Sequence, residues 1–235
     1  MHLTEYGKEI ILIQNILKVV LFIWLVLVII GAFAYAPVAK GLGEFTRVLY
    51  FHVPMAWITV LAFLLSAFYS ILYLKNKKIR FDHHAEAANQ LGILFAVLAT
   101  ITGSIWAKMA WGSFWNWDPR ETSIFILLLI YAAYFALRSA IEQEDRRAAL
   151  SAVYSILAFV TVPFFIFIVP RIYEGLHPDV VGEVVKASDK KMVMSPKILL
   201  VFLSSLAGFT GLFVWMVKMK FDLIKLKLKI NDMEK

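Results

Sequence analysis

Six stretches of the chain, roughly residues 16–36, 54–74, 87–107, 122–139, 150–170 and 197–217, are each long and apolar enough to cross a bilayer. A helix needs about 20 residues to span some 30 Å of hydrocarbon. Lipid offers the backbone no hydrogen bonds, so a spanning segment must satisfy its own N–H and C=O groups, and continuous apolar runs of this length do so as α-helices. The expectation is an all-α integral membrane protein, a six-helix bundle forming one membrane domain over 1–235. The first run reads as a span rather than a cleavable signal, since it can cross and has no small-residue cleavage site behind a short apolar core. The 61% hydrophobic content supports this; soluble domains hold about 45–50%.

Local signals mark the ends. Pro54 in "HVPMAW" suits a first helical position, and Ser195 before Pro196 suits an N-cap. Pro163, inside the fifth run, predicts a kink. The net charge of +7 calls for no nucleic-acid partner, because loop Lys and Arg account for it. With both termini cytoplasmic, 15 of these cations fall inside and 9 outside, the positive-inside bias of a multi-pass membrane protein. The "KMKFDLIKLKLK" tail reads as amphipathic, lying on the inner leaflet. Segments 37–53, 108–121 and 171–196 then face outward. The absence of cysteine excludes disulfides, thiolate metal sites and covalent haem attachment through CxxCH.

The middle outward segment holds "WGSFWNWDPRET", residues 111–122. Trp106, Trp111, Trp115 and Trp117 crowd one end of the bundle, more than an interfacial aromatic belt requires. Asp118, Pro119 and Glu121 fit an N-cap, a first helical residue and the third position of a capping box, which makes Asp118 a structural residue. Arg120 opposes the helix dipole and would welcome an anion. Charges are costly at mid-membrane, so the segment belongs at the interface. Its tryptophans are expected to form an open shelf for a flat aromatic ligand with polar edges.

His83 and His84 fall in a charged loop and read as solvated. His52 and His177 flank the tryptophan segment on its own side of the membrane. A lone interfacial His is ordinarily a polar anchor, but two neutral imidazoles can bind a haem iron from opposite faces. Arg47, Arg120 and Arg171 on the same side suit propionates. Zinc is a weaker use, since a third ligand would have to come from Asp118, Glu44, Glu174 or Asp179, none at a recognised spacing.

With these residues, "WGSFWNWDPRET" resembles the signature of the haem-handling WWD-domain proteins of cytochrome c biogenesis. The layout is most similar to the CcmC family, with six spans, a His in an "HVPxAW" context, the signature in the second outer loop and a His in the third. The resemblance covers nearly the whole chain. It implies that His52 and His177 are the axial ligands of a non-covalent haem b. It also implies that Trp111, Gly112, Trp115, Trp117, Asp118 and Arg120 support haem and the partner receiving it, and that Arg47 matches an Arg of the corresponding segment. Such proteins are not enzymes in the narrow sense. They hold haem at the periplasmic face and help load it onto the chaperone CcmE, associating with the CcmA–CcmB ATPase transporter and the small membrane protein CcmD.

One departure matters. "WDPRET" stands where many CcmC sequences read like "WDARLT", and it is more similar to the CcsA branch, the haem-delivering half of a two-part cytochrome c synthase. That branch is usually longer and carries histidines within its spans; none falls in a predicted span here. A CcsA-like subunit is therefore the alternative. A small-solute transporter is a weaker one, because the spans hold almost no ionisable residues near mid-membrane.

Overall fold

The structure is a computed structural model that describes residues 5–38, 43–177 and 195–233. It is all-α, with no β-strand among the described residues. The helices are α1 (Glu5–Ile30), α2 (Thr46–Asn76), α3 (Ile79–Trp111), α4 (Pro119–Ser139), α5 (Glu144–Pro163), the short α6 (Val169–Ile172) and α7 (Pro196–Met233). Six segments are long and apolar enough to span: Leu12–Tyr35, Thr46–Asn76, Ile79–Trp111, Pro119–Ser139, Glu144–Ile172 and Pro196–Ile230. They match the six expected spans.

The detail departs from expectation in places. α2 begins at Thr46, so Pro54 lies two turns inside it and His52 sits on a helix rather than before one. Proline has no N–H, which frees the carbonyl one turn back. The Ser205 hydroxyl of α7 donates to that carbonyl, Tyr50 O, so the cost of an internal proline is met by a neighbouring helix. The disturbance expected at Pro163 is a π-helical turn over Phe164–Ile168. The basic tail, expected on the leaflet surface, continues α7 as one helix of 38 residues. The cap at Ser195 forms, its Oγ accepting the Ile198 N–H at 3.4 Å.

α2 is the centre of the bundle, packed against α3, α5 and α7, whereas α1 packs chiefly on α7. Membrane helices gain little from hydrophobic association with each other, so close approach through small residues decides their pairing. Gly92 of α3 shows this. A Cβ there would lie 2.3 Å from the Phe63 ring of α2, and Phe63 in turn stacks on Tyr131 of α4 at 3.4 Å between ring centres. Ser66, Ala85, Ser155 and Asn89 continue the seam inward, with Ser66 Oγ donating to Ala85 O and Asn89 Nδ2 to Ser155 Oγ.

At the end of the bundle away from the tryptophans, Arg138 is a buried charge on α4. It is 7% exposed and makes a bidentate pair with the buried Asp82, at 2.7 and 2.9 Å, plus a bond to Glu86 at 2.9 Å. His84 is also withdrawn, its ring stacked on Phe221 at 3.9 Å. Removing one partner of a buried pair strands the other in low dielectric, which costs about 3–5 kcal/mol. Arg138→Leu is expected to lower the thermal midpoint of the detergent-solubilised protein accordingly. Arg138→Leu combined with Asp82→Asn should recover much of the loss, as followed by circular dichroism.

Candidate functional site

The tryptophan segment joins α3 to α4, and both joints are built from the sequence. α3 ends where Gly112 takes a left-handed conformation, φ 84°, and its N–H donates to Lys108 O at 3.0 Å. A side chain is strained in that conformation, so Gly112 serves as a helix terminator. α4 starts at Pro119 under the expected capping box. Asp118 Oδ1 accepts the Arg120 N–H at 2.9 Å, and Glu121 Oε2 accepts the Asp118 N–H at 3.3 Å and the Asn116 N–H at 2.7 Å.

Asp118 does more than cap. Its Oδ2 accepts the Leu176 N–H at 2.6 Å, and its Oδ1 lies 2.8 Å from His177 Nδ1. Gly175 permits this approach, for a Cβ there would fall 2.5 Å from Asp118 Oδ2. Burial raises the Asp118 pKa, but the His177 hydrogen bond, the charge of that ring when protonated, and the Arg120 and Leu176 N–H groups outweigh it and hold the carboxyl at about 2.

His52 meets α3. Its Nδ1 lies 2.9 Å from Ala99 O and 3.2 Å from Thr102 Oγ1. A carbonyl only accepts, so Nδ1 carries the proton and Nε2 keeps its lone pair. The same logic holds for His177, whose Nδ1–H faces a carboxylate. Gly103 leaves room for the His52 ring, since a Cβ there would lie 2.8 Å from His52 Cε1. His177 rests in a corner formed by Trp106 and Trp111, with ring centres at 5.6 and 4.9 Å. Gly103 and Trp106 are neighbours on one face of α3, so the same end of that helix receives both imidazoles. Each has its Nδ1 committed to the protein, which leaves Nε2 as the nitrogen that could ligate, the arrangement of metal-ligating histidines with their supporting hydrogen bonds.

A family profile described as "Heme exporter protein C", CcmC, matches residues 4–234. The chain belongs to the CcmC family. It is 33% identical over 154 residues to "Heme exporter protein C" of Rhodobacter capsulatus, covering 63% of this chain and 62% of that protein. It is 30% identical over 214 residues to the Haemophilus influenzae protein of the same name, covering 88% and 84%. It is 36% identical over 96 residues to "Cytochrome c biogenesis protein CcsA" of Spinacia oleracea, covering 41% and 29%. The first of these matches spans about three-fifths of its relative's length.

In this CcmC-family chain the expected site residues fall into groups. His52, His177, Asp118 and Trp111 converge. Trp115 and Trp117 do not join them: they pack edge-on to each other at 5.8 Å and against Phe125 of α4, and Trp117 is 68% exposed. The single open shelf is thus corrected to an inner pair, Trp106 with Trp111, and an outer pair. Trp117 also has φ 56°, an uncommon conformation for an aromatic residue. Arg47 pairs with Glu44 at 3.1 Å and donates to Ala32 O and to Ala36 O at 2.9 Å, tying the start of α2 to the end of the first span. Arg171 donates to Phe167 O of its own helical stretch. The Arg120 N–H serves the cap. No three potential metal ligands converge among the described residues, and Asp179 lies outside them. Gly103, Gly175 and Trp106 were missed as site residues, because their contribution is a contact or a missing Cβ rather than a chemical motif.

The depressed Asp118 pKa gives a pH prediction. A carboxyl held below its unfolded value near 4 stabilises fully above that value and loses its contribution as pH falls toward about 2. Wild type should therefore exceed Asp118→Asn in thermal stability by a constant margin from pH 7 to about 5. The margin should shrink below pH 4 and vanish near pH 2, as read by circular dichroism.

Proposed function

We propose that the chain binds haem b non-covalently at the tryptophan end of the bundle, with His52 and His177 as axial ligands. This end is the periplasmic face in our reading, with both termini cytoplasmic. The observation that carries it is the matched pair of imidazoles. Both are fixed at Nδ1, by Ala99 O and by the Asp118 carboxylate, so both would offer Nε2 beside the same stretch of α3. A carboxylate or carbonyl behind a ligating imidazole orients the ring and raises its basicity. The Trp106–Trp111 corner adds an apolar aromatic wall suited to a flat macrocycle.

The chain's own residues hold, orient and present the haem; we assign no bond-forming step to them. Arg47 lies five residues before His52, Arg120 three after Trp117 and Arg171 six before His177, and we assign them to propionates as secondary roles beside their structural ones. The exposed Trp117 and its neighbour Trp115 are assigned to the partner that receives haem, the chaperone CcmE, with CcmA–CcmB and CcmD completing the assembly. Both the family and the relatives named for haem export and cytochrome c biogenesis support this reading. A CcsA-like role draws on the relatives of that name.

The test is an absorption spectrum of the purified protein expressed with its operon neighbours. A Soret band is expected in wild type, shifted or lost in His52→Ala and in His177→Ala. Gly103→Ala, which pushes a methyl into the His52 ring, should weaken haem retention several-fold while leaving the fold intact. A band unchanged in both histidine variants sinks the ligand assignment.

A further inference from the structure

α7 runs on past the rest of the bundle. Phe221 stacks on His84, five residues into α3, and meets Tyr69 edge-on at 5.3 Å, seven residues before the end of α2. At 1.5 Å per residue the α2–α3 turn lies level with about residue 227 of α7, and the helix continues to Met233. Its whole length of 38 residues is roughly 57 Å, well over the 30 Å or so of hydrocarbon. The last turns therefore stand at or beyond the membrane surface.

Along the last turns of α7 Met219, Leu223, Leu226, Ile230 and Met233 recur at spacings of 4, 3, 4 and 3 and are 48%, 65%, 55%, 41% and 70% exposed, with Ile230 and Met233 past the α2–α3 turn. That is the seam of a coiled coil. The basic residues between them point elsewhere or flank it. Lys220 turns back to Gln90 of α3, at 2.5 Å. Where it emerges from the membrane an apolar stripe in this pattern is costly to leave in water, and it lies on none of the faces that α7 buries against α2 and α3.

We propose that the stripe is an interface with a second copy of this chain, a short parallel coiled coil of two α7 ends. Two copies in one bilayer share orientation and depth, so their α7 ends can meet only in parallel and in register. In that register each seam residue faces its own counterpart, with Leu223 and Ile230 at the a positions and Met219, Leu226 and Met233 at d. The flanking g position is then Asp222 and the e′ position of the next heptad is Lys227. These are opposite charges, and the pair is made twice by symmetry. Asp222 is 63% exposed and bonded only to Lys218, one turn back on its own helix, so it is open to a partner. Confinement to a membrane raises the effective concentration that so short a seam needs.

The chain contains no cysteine, which makes the test direct. Single cysteines are placed at the seam, Leu223→Cys, Leu226→Cys and Ile230→Cys, and off it, Lys225→Cys and Leu228→Cys. Native membranes are then treated with a mild oxidant. The expected result is disulfide-linked dimer at the seam positions, several-fold above the others. In the Leu226→Cys background, Asp222→Lys or Lys227→Asp alone should lower the yield several-fold, and the two together should restore it. No dimer, equal yield at all five positions, or no rescue by the double exchange overturns the proposal. Seam thiols shielded from a water-soluble maleimide without forming dimer also overturn it, and show that another segment or another protein covers the stripe.

Discussion

The buried carboxylate of Asp118 is the interaction on which the tryptophan end of the molecule depends. Its side chain is 1% exposed, and an anion so placed is tolerable only when protein groups replace its water. Three do: the Arg120 N–H, the Leu176 N–H and the His177 imidazole. They come from the first turn of α4 and from the segment that follows α6, which are far apart in the chain. One charge thus closes α4, anchors the return from the fifth span and fixes the His177 tautomer. Its depressed pKa is the same fact seen from the titration side: every partner favours the ionised form, so the tether holds across the whole physiological range.

The other imidazole is placed by the register of two helices. His52 lies against Gly103, and Phe63 lies against Gly92. Each pair is separated by eleven residues along its helix, close to three full turns, so both contacts fall on the same two facing stripes. A glycine on α3 at each point lets a ring of α2 enter. Slipping this antiparallel pair by one residue would drive Phe63 and His52 into side chains together. The contact that holds the core therefore also sets the height of His52, and Ala99 O is where its Nδ1 must end. The Ser205 bond to Tyr50 O serves the same register from α7, for it allows α2 to continue unbroken through Pro54 and carry His52 on a rigid helix.

How far the sequence announced this follows from which forces act locally. The six spans were legible because hydrocarbon imposes length and composition on each segment separately. The Asp118–Glu121 box and the Ser195 cap were legible because capping involves residues a few positions apart. The role of Asp118 toward His177 was not, since those residues are 59 positions apart and the cap alone already accounted for the aspartate. Pro54 misled because its usual place is a first turn, and only a hydroxyl on a distant helix made an interior place affordable. His84 looked solvated beside other charges and Arg138 was one inner cation among fifteen; their partners Phe221 and Asp82 sit on other helices. The basic tail carries a heptad spacing in the sequence, and a reading tuned to membrane surfaces saw only its amphipathicity.

The division of the tryptophans has a physical cause as well. α3 remains helical to Trp111, so Trp106 and Trp111 project from a rigid rod and can make a fixed corner for His177. Beyond Gly112 the chain turns, and Trp117 adopts a left-handed backbone conformation that costs a non-glycine residue about 1–2 kcal/mol. That cost is borne because Glu121 grips the Asn116 and Asp118 N–H groups on either side, while Thr122 Oγ1 donates to Trp117 O. The loop is thus forced to hold an indole outward instead of folding it into the bundle. On the haem reading this separates two tasks that a single shelf would confuse. The inner corner meets the macrocycle in a setting tight enough to orient an axial imidazole. The outer indole stays accessible, where a second protein can reach it without displacing His177.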